Sequence, residues 1–210
     1  MDELVRRWAR GWVLCRGVGA ALERDFALEV RLGLPGRERE LFALTDDAEI
    51  VNELAVRTAK SSDTWLTVTT GQPAAKAAVL EQAGLRLLDE PCLLMTIELR
   101  KHPDTTAPPG YRLETTSDGP LEYVKVKDGQ GNVAARGMAA VVGDDAVLHD
   151  IQTDPAHRRR GLGSVVMSLL SRRATDRGAA TGLLMATTDG GYLYPKLGWS
   201  TEATMITAVS

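Results

Sequence analysis

Arg158, Gly161 and Gly163, within the run His157-Arg158-Arg159-Arg160-Gly161-Leu162-Gly163-Ser164, have the types and spacing of a site that holds a phosphate through its main chain. Upstream, residues 146–153 read as a strand that Asp154-Pro155 ends. Downstream, Leu162, Val165, Val166, Leu169, Leu170 and Ala174 recur at helical spacing until Gly178. The turn therefore sits at a helix N-terminus, where amides lack intrahelical partners and carry the positive end of the helix dipole. Gly161 and Gly163 let an anion approach the main chain closely, and both tolerate a positive φ. Charge-assisted hydrogen bonds of this kind contribute about 1.5–3 kcal/mol each, so three or four of them anchor a nucleotide-like ligand. A nucleoside triphosphate is a poor fit. Its loop needs Gly-x-x-x-x-Gly-Lys-Ser/Thr, and here Ser164 follows Gly163 directly, with no lysine.

The elements that position this turn follow from alternation and turn chemistry. Residues 111–115, 121–127, 133–142 and 146–153 read as successive strands. They are joined by Lys127-Asp128-Gly129-Gln130-Gly131-Asn132 and by Gly143-Asp144-Asp145, so an antiparallel meander is expected. After the helix come a strand at 181–188, a short helix at 192–197 and a strand at 203–209, in the order β-β-β-β-α-β-α-β. The proline-rich stretch from His102 to Gly110 breaks the chain, and domains at 1–104 and 105–210 are expected.

The first half repeats part of that order. Strands are expected at 26–32, 38–44, 65–70 and 93–99, with a helix marked by Ala48, Val51, Leu54, Ala55 and Thr58 and another at 73–83. Leu66-Thr67-Val68-Thr69-Thr70 parallels Leu184-Met185-Ala186-Thr187-Thr188, and Leu80-Glu81-Gln82-Ala83-Gly84-Leu85 parallels Tyr194-Pro195-Lys196-Leu197-Gly198-Trp199, which reads as an internal duplication. The copies differ at the turn. Thr45-Asp46-Asp47-Ala48 is short, acidic and free of glycine, and it would repel a pyrophosphate; Leu80 stands where the second copy has Tyr194.

Composition narrows the classes. The chain has 210 residues, 44% of them hydrophobic, and a net charge of -3, which argues against nucleic acid as a partner and makes the three arginines a local feature. Cys15 and Cys92 are too few for a disulfide framework and lack ligand spacing, so no metal is expected. With an acidic start and no run of 18 apolar residues, no membrane partner is expected, and the location is read as cytoplasmic.

The second half, from about Tyr111 to Ser210, resembles the GNAT superfamily of N-acetyltransferases. Arg158-x-x-Gly161-x-Gly163 is similar to the acyl-CoA motif of that family, and Tyr194-Pro195-Lys196-Leu197-Gly198-Trp199 is similar to the segment that ends its last helix. The resemblance implies an α+β fold: a mixed, mostly antiparallel GNAT-type sheet flanked by helices, with a second GNAT-like α/β half at the N-terminus. It departs from the family at Thr116-Ser117-Asp118-Gly119-Pro120, which is too short for the usual pair of helices between the first two strands. Tandem GNAT proteins with one degenerate copy provide the nearest pattern.

The resemblance further implies acetyl-CoA as donor, a primary amine on a small molecule or peptide as acceptor, and a monomer or homodimer. It puts a pyrophosphate on the amides of Arg159, Arg160, Gly161, Leu162, Gly163 and Ser164, and the pantetheine arm beside Ile151 and Thr153. Arg158 orients the loop or approaches the phosphates. The side chains of Arg159 and Arg160 are expected to be solvated, and His157 to be an exposed turn residue. Acyl transfer to an amine also needs a proton for the departing thiolate, which suits Tyr194, with Tyr192 as the fallback. His149 and Asp150 are the candidate bases. By strand alternation His149 shares a face with Ile151 and Thr153, and Asp150 lies on the other. No cysteine lies near these motifs, so direct transfer is expected. An acyl-CoA-binding regulatory module with little or no turnover is the alternative reading.

Overall fold

The computed structural model describes residues 1–210, apart from the side chain of Asp189. In chain order the elements are α1 (Asp2–Arg16), β1 (Leu22–Arg24), β2 (Ala27–Leu34), β3 (Arg37–Ala43), α2 (Ala48–Ala59), β4 (Thr64–Thr70), α3 (Pro73–Gln82), β5 (Arg86–Leu87), β6 (Cys92–Glu98), β7 (Arg112–Asp118), β8 (Leu121–Lys127), β9 (Val133–Val142), β10 (Asp145–Thr153), α4 (Leu162–Asp176), β11 (Thr181–Ala186), α5 (Thr188–Leu193) and β12 (Ser200–Val209). This is the expected mixed α+β class, with a largely antiparallel open sheet flanked by helices. The chain forms two compact units. One comprises Met1–Met95, Met185–Gly191 and Thr201–Ser210; the other comprises Thr96–Leu184 and Tyr192–Ser200.

In the first unit, β2 and β3 form a hairpin and β3 runs parallel to β4, with partners from Arg39↔Thr64 to Ala43↔Val68. β12, last in sequence, pairs antiparallel with β4 from Thr204↔Thr70 to Val209↔Trp65. A cut at 104/105 therefore separates β12 from a strand that it pairs with. Val51, Leu54 and Ala55 of α2 and Leu80 of α3 pack with Leu66, Val68, Ile206 and Ala208. α1 has no counterpart among the elements expected from the sequence. It buries Val5, Trp8, Ala9, Trp12 and Val13 on one stripe, and the rings of Trp8 and Trp12 meet Phe42 edge-on at 5.2 and 5.3 Å.

In the second unit, β7, β8, β9 and β10 form the expected meander, and β11 runs parallel to β10. α4 lies on the face that holds Val124, Gly137 and Ala139. A Cβ on Gly137 would stand 2.7 Å from Val166 Cγ1 and 3.2 Å from Leu170 Cδ1, so glycine there sets how closely helix and strand approach. An ionic clamp fixes the register of α4. The Glu122 carboxylate, only 1% exposed, accepts from Arg173 Nε and from Arg177 Nη1 at 2.7 Å, and from Ser117 Oγ at 3.0 Å. Burial pushes the Glu122 carboxyl up, and the two guanidiniums outweigh this and hold it below the usual value.

Candidate functional site

The last turns of β10 carry four of the sequence-derived candidates, and a β-bulge arranges them. His149 is opposite Met138, but Gln152 is opposite Arg136, so Asp150 and Ile151 together face the single residue Gly137. Asp150 takes the left-handed conformation, φ 53. The extra residue reverses the alternation expected from sequence. Ile151 turns onto the α4 face, its Cδ1 2.5 Å from where a Gly137 Cβ would lie, and Thr153 shares that face through its partner Ala135. His149, opposite Met138, lies on the other face. There the Asp150 carboxylate pairs with Arg136 Nη2 at 3.1 Å and accepts from Gln152 Nε2 at 2.6 Å. His149, Asp150, Ile151 and Thr153 are all partly exposed.

β10 also parts from β11. Their ladder runs through Asp145↔Thr181, Ala146↔Gly182 and Val147↔Leu183 and then stops, while β10 continues to Thr153. Among the described residues, β10 beyond Val147 therefore lies outside the β11 ladder.

Next comes the glycine turn. Asp154 caps a single 3₁₀ turn at Pro155–His157 by accepting from Ala156 N, and Arg159 and Gly161 then adopt left-handed backbone, φ 62 and 75. The first bond of α4 is Val165 N to Gly161 O, so the amides of Leu162, Gly163 and Ser164 precede the helical ladder. Gly161 supplies no side-chain cap, and the first turn of α4 holds no acidic residue. These amides have the character of an anion site. The two glycines serve different ends. Gly161 needs its φ, whereas Gly163 has ordinary helical backbone and is needed for space: a Cβ there would stand 3.2 Å from Leu193 Cδ2 and 3.8 Å from Thr153 Oγ1.

That contact sets Leu193 against the turn, and Tyr194 follows it in the chain. Tyr194 is 8% exposed, and desolvation pushes its phenol up to about 12. Its ring centroid lies 6.2 Å from that of Trp199, and Trp199 N bonds back to Tyr194 O at 3.1 Å around Gly198, φ 86. Tyr192 is 73% exposed and stands in solvent.

Arg158, Arg159 and Arg160 are all exposed, which was expected of Arg159 and Arg160, but Arg160 is not free. Its Nη1 donates to the Tyr111 hydroxyl at 2.9 Å, and that hydroxyl shares a 2.9 Å bond with His157 Nδ1. On the other side of the ring, His157 Nε2 stands 3.7 Å from Asp128 Oδ2. His157 is thus half-buried rather than an exposed turn residue, because Tyr111 and Asp128 enclose it. In sequence, Tyr111 marks only the start of a strand and Asp128 only a turn. No spacing rule links residues 46 and 49 positions apart. Among the described residues no group of three or more His, Cys, Asp or Glu side chains is placed to hold a metal ion, and no helix is long and apolar enough to cross a membrane.

The fold has counterparts. A GCN5-related N-acetyltransferase from Kribbella flavida superposes with a TM-score of 0.72 at 16% identity, covering 99% of this chain and 94% of that one. One from Sphaerobacter thermophilus gives 0.66 at 11% identity over 98% and 90%, and a tandem GNAT protein from the clavulanic acid biosynthesis pathway gives 0.59 at 14% identity over 87% and 77%. At such identities the likeness is one of fold, and the tandem protein fits a two-half arrangement. No curated protein matches the chain in sequence. The family model for the acetyltransferase (GNAT) family matches residues 91–199, more than half of the chain and the whole of the β10–α4 turn, so the chain belongs to the GNAT family.

Proposed function

We propose that the protein is an acetyl-CoA-dependent N-acetyltransferase that passes acetyl directly to a primary amine of a small molecule or peptide. The observation that carries this reading is the N-terminus of α4, without a side-chain cap, following a strand whose final stretch lies outside the ladder to β11. A pyrophosphate fits the first of these and an extended amide-bearing arm fits the second, where it adds like a strand. Acetyl-CoA, when bound, supplies an activated thioester; everything else is asked of the chain.

The amides of Arg159 to Ser164 hold the pyrophosphate, with Arg158 and Arg160 adding charge at the rim. Ile151 and Thr153 flank the arm. Tyr194 keeps its proton throughout the neutral range, because burial raises its phenol to about 12, and it donates a hydrogen bond to the departing sulfur. An alkylamine of pKa about 10.4 costs roughly 4–5 kcal/mol to deprotonate at pH 7, so a base or water relay is needed. His149 or the Asp150 carboxylate, held by Arg136 and Gln152, takes that proton directly or through water.

The test is acetyl-CoA binding and turnover in the wild type and in Tyr194→Phe, with a panel of amines screened by thermal shift in the presence of CoA. At 100 times its Kd, acetyl-CoA stabilises a one-site protein by about 2.7 kcal/mol. Loss of the phenol lowers kcat by about 10²-fold with acetyl-CoA binding retained. Absence of stabilisation by acetyl-CoA sinks the proposal. Unchanged turnover in Tyr194→Phe removes that residue from it.

A further inference from the structure

β7 ends the sheet of its unit, and its outer edge is bare. All seven residues of Arg112–Asp118 are exposed, and their ladder to β8 runs without a register shift. The strand contains no proline and no lysine. Proteins usually blunt such an edge with a bulge, a proline, a lysine or a covering element, because a straight row of unpaired N–H and C=O groups templates another strand.

The turn into β8 determines which groups face outward. Asp118 is opposite Leu121 across the two-residue loop Gly119-Pro120, with Gly119 at φ 54. Glycine with positive φ at the first loop position marks a type II′ hairpin, whose closing residues are hydrogen-bonded to each other. Main-chain groups alternate from there. Asp118, Thr116, Glu114 and Arg112 point theirs at β8, and Ser117, Thr115 and Leu113 point theirs at solvent.

Reversed upon itself, this edge is complementary. Centred on Thr115, a second copy sets Arg112 against the partner's Asp118, Glu114 against the partner's Thr116 and Leu113 against the partner's Ser117. The outward residues Leu113, Thr115 and Ser117 then exchange about six main-chain hydrogen bonds. Among the described residues neither Arg112 nor Asp118 has an ion-pair partner within the chain, whereas Glu114 already pairs with Lys127 at 2.6 Å. Sliding by two residues in either direction brings acids together, Glu114 against the partner's Glu114 or against the partner's Asp118. Charge therefore selects one register.

We propose that β7 is a dimerisation edge to which a second copy of this chain adds antiparallel, across a two-fold axis at Thr115. Sedimentation velocity over a range of concentrations tests it. The wild type shows a concentration-dependent dimer that weakens with added salt. Thr115→Pro deletes an outward N–H without touching the β8 ladder, and Arg112→Asp sets like charges face to face. Each raises the dissociation constant about tenfold or more, and Arg112→Asp combined with Asp118→Arg restores it. The charge variants keep the test alive should the proline variant fold poorly. A wild type that stays monomeric up to about millimolar concentration overturns the proposal. So does a dimer indifferent to both charge reversal and proline, which would lie on another face, and so does a monomer whose β7 edge instead captures an extended peptide.

Discussion

Tyr194→Phe makes a prediction whose size comes from burial. The phenol is 8% exposed, and desolvation moves it from 10.0 to about 12. A raised folded pKa means that the folded protein holds its proton more tightly than the unfolded chain does. Below pH 10 both states are protonated, and the contribution is fully present. As pH rises from 10 to 12 the unfolded chain gives up the proton and the folded one does not, so stability is lost through that window. Two pKa units correspond to about 2.7 kcal/mol, taken as an order of magnitude. Phenylalanine keeps the ring and has nothing to titrate, so the wild type loses stability between about pH 9 and pH 12 that the variant keeps. Denaturant unfolding of both proteins across that range measures the difference, and the difference in their tyrosinate absorbance isolates this one phenol. The same value predicts that the kcat profile has no alkaline limb below about pH 11 that Tyr194→Phe removes. Titration of Tyr194 near 10, or parallel losses of stability in both proteins, would refute the burial argument.

Three other expectations follow from named contacts. Removing both Arg173 and Arg177 leaves a buried Glu122 carboxylate unpaired and costs about 3–5 kcal/mol in denaturant unfolding, whereas either single variant costs less. Tyr111→Phe releases Arg160 and His157 and raises the acetyl-CoA dissociation constant about three- to tenfold in calorimetry while kcat holds, because Tyr111 touches the turn and not the reacting atoms. A fragment ending at residue 104 lacks β12 and exposes the edge of β4, so it aggregates, and adding residues 105–210 in trans recovers solubility; a soluble monomeric fragment counts against the pairing.

What could be read from the sequence was local. Leu121–Lys127 and Val133–Val142 were legible to the residue, because alternating side chains bounded by Asp, Asn, Gly and Pro define a strand without knowledge of its partner. The start of α4 at Leu162 was legible for the same reason. The bulge was not, because a bulge is a relation between two strands: nothing around Asp150 shows that Gly137 will face two residues. The sequence predicts a short helix at 192–197, but it starts at Thr188 and runs through Gly190 and Gly191, which propensity argues against. α1 was written in the 3–4 spacing of Val5, Trp8, Ala9, Trp12 and Val13, though arginines between those residues blur the pattern. The Tyr111–His157–Asp128 chain joins three loops and had no sequence signature at all.

The acidic turn of the first half was legible, and its geometry bears on the proposal that acyl transfer belongs to the second half alone. Asp47 Oδ1 accepts from Glu49 N at 3.0 Å and Ile50 N at 3.2 Å, so a carboxylate of the chain itself occupies the helix start that α4 leaves free. Such a cap stabilises by about 1 kcal/mol. β3 stays paired with β4 through five positions to its end at Ala43, whereas β10 leaves the β11 ladder after three and runs on to Thr153. Leu80, fully buried, fills the place that Tyr194 holds in the second copy and adds about 2 kcal/mol of apolar burial. Each difference favours stability, and each removes one requirement of the proposed acyl transfer: the candidate anion site, the strand for an extended arm, and the candidate proton donor. Restoring any one of them leaves the other two missing. Asp47→Gly alone should therefore destabilise the first unit without creating a second acetyl-CoA site, and a binding stoichiometry of two for that variant would show that the closed β3–β4 ladder is no barrier.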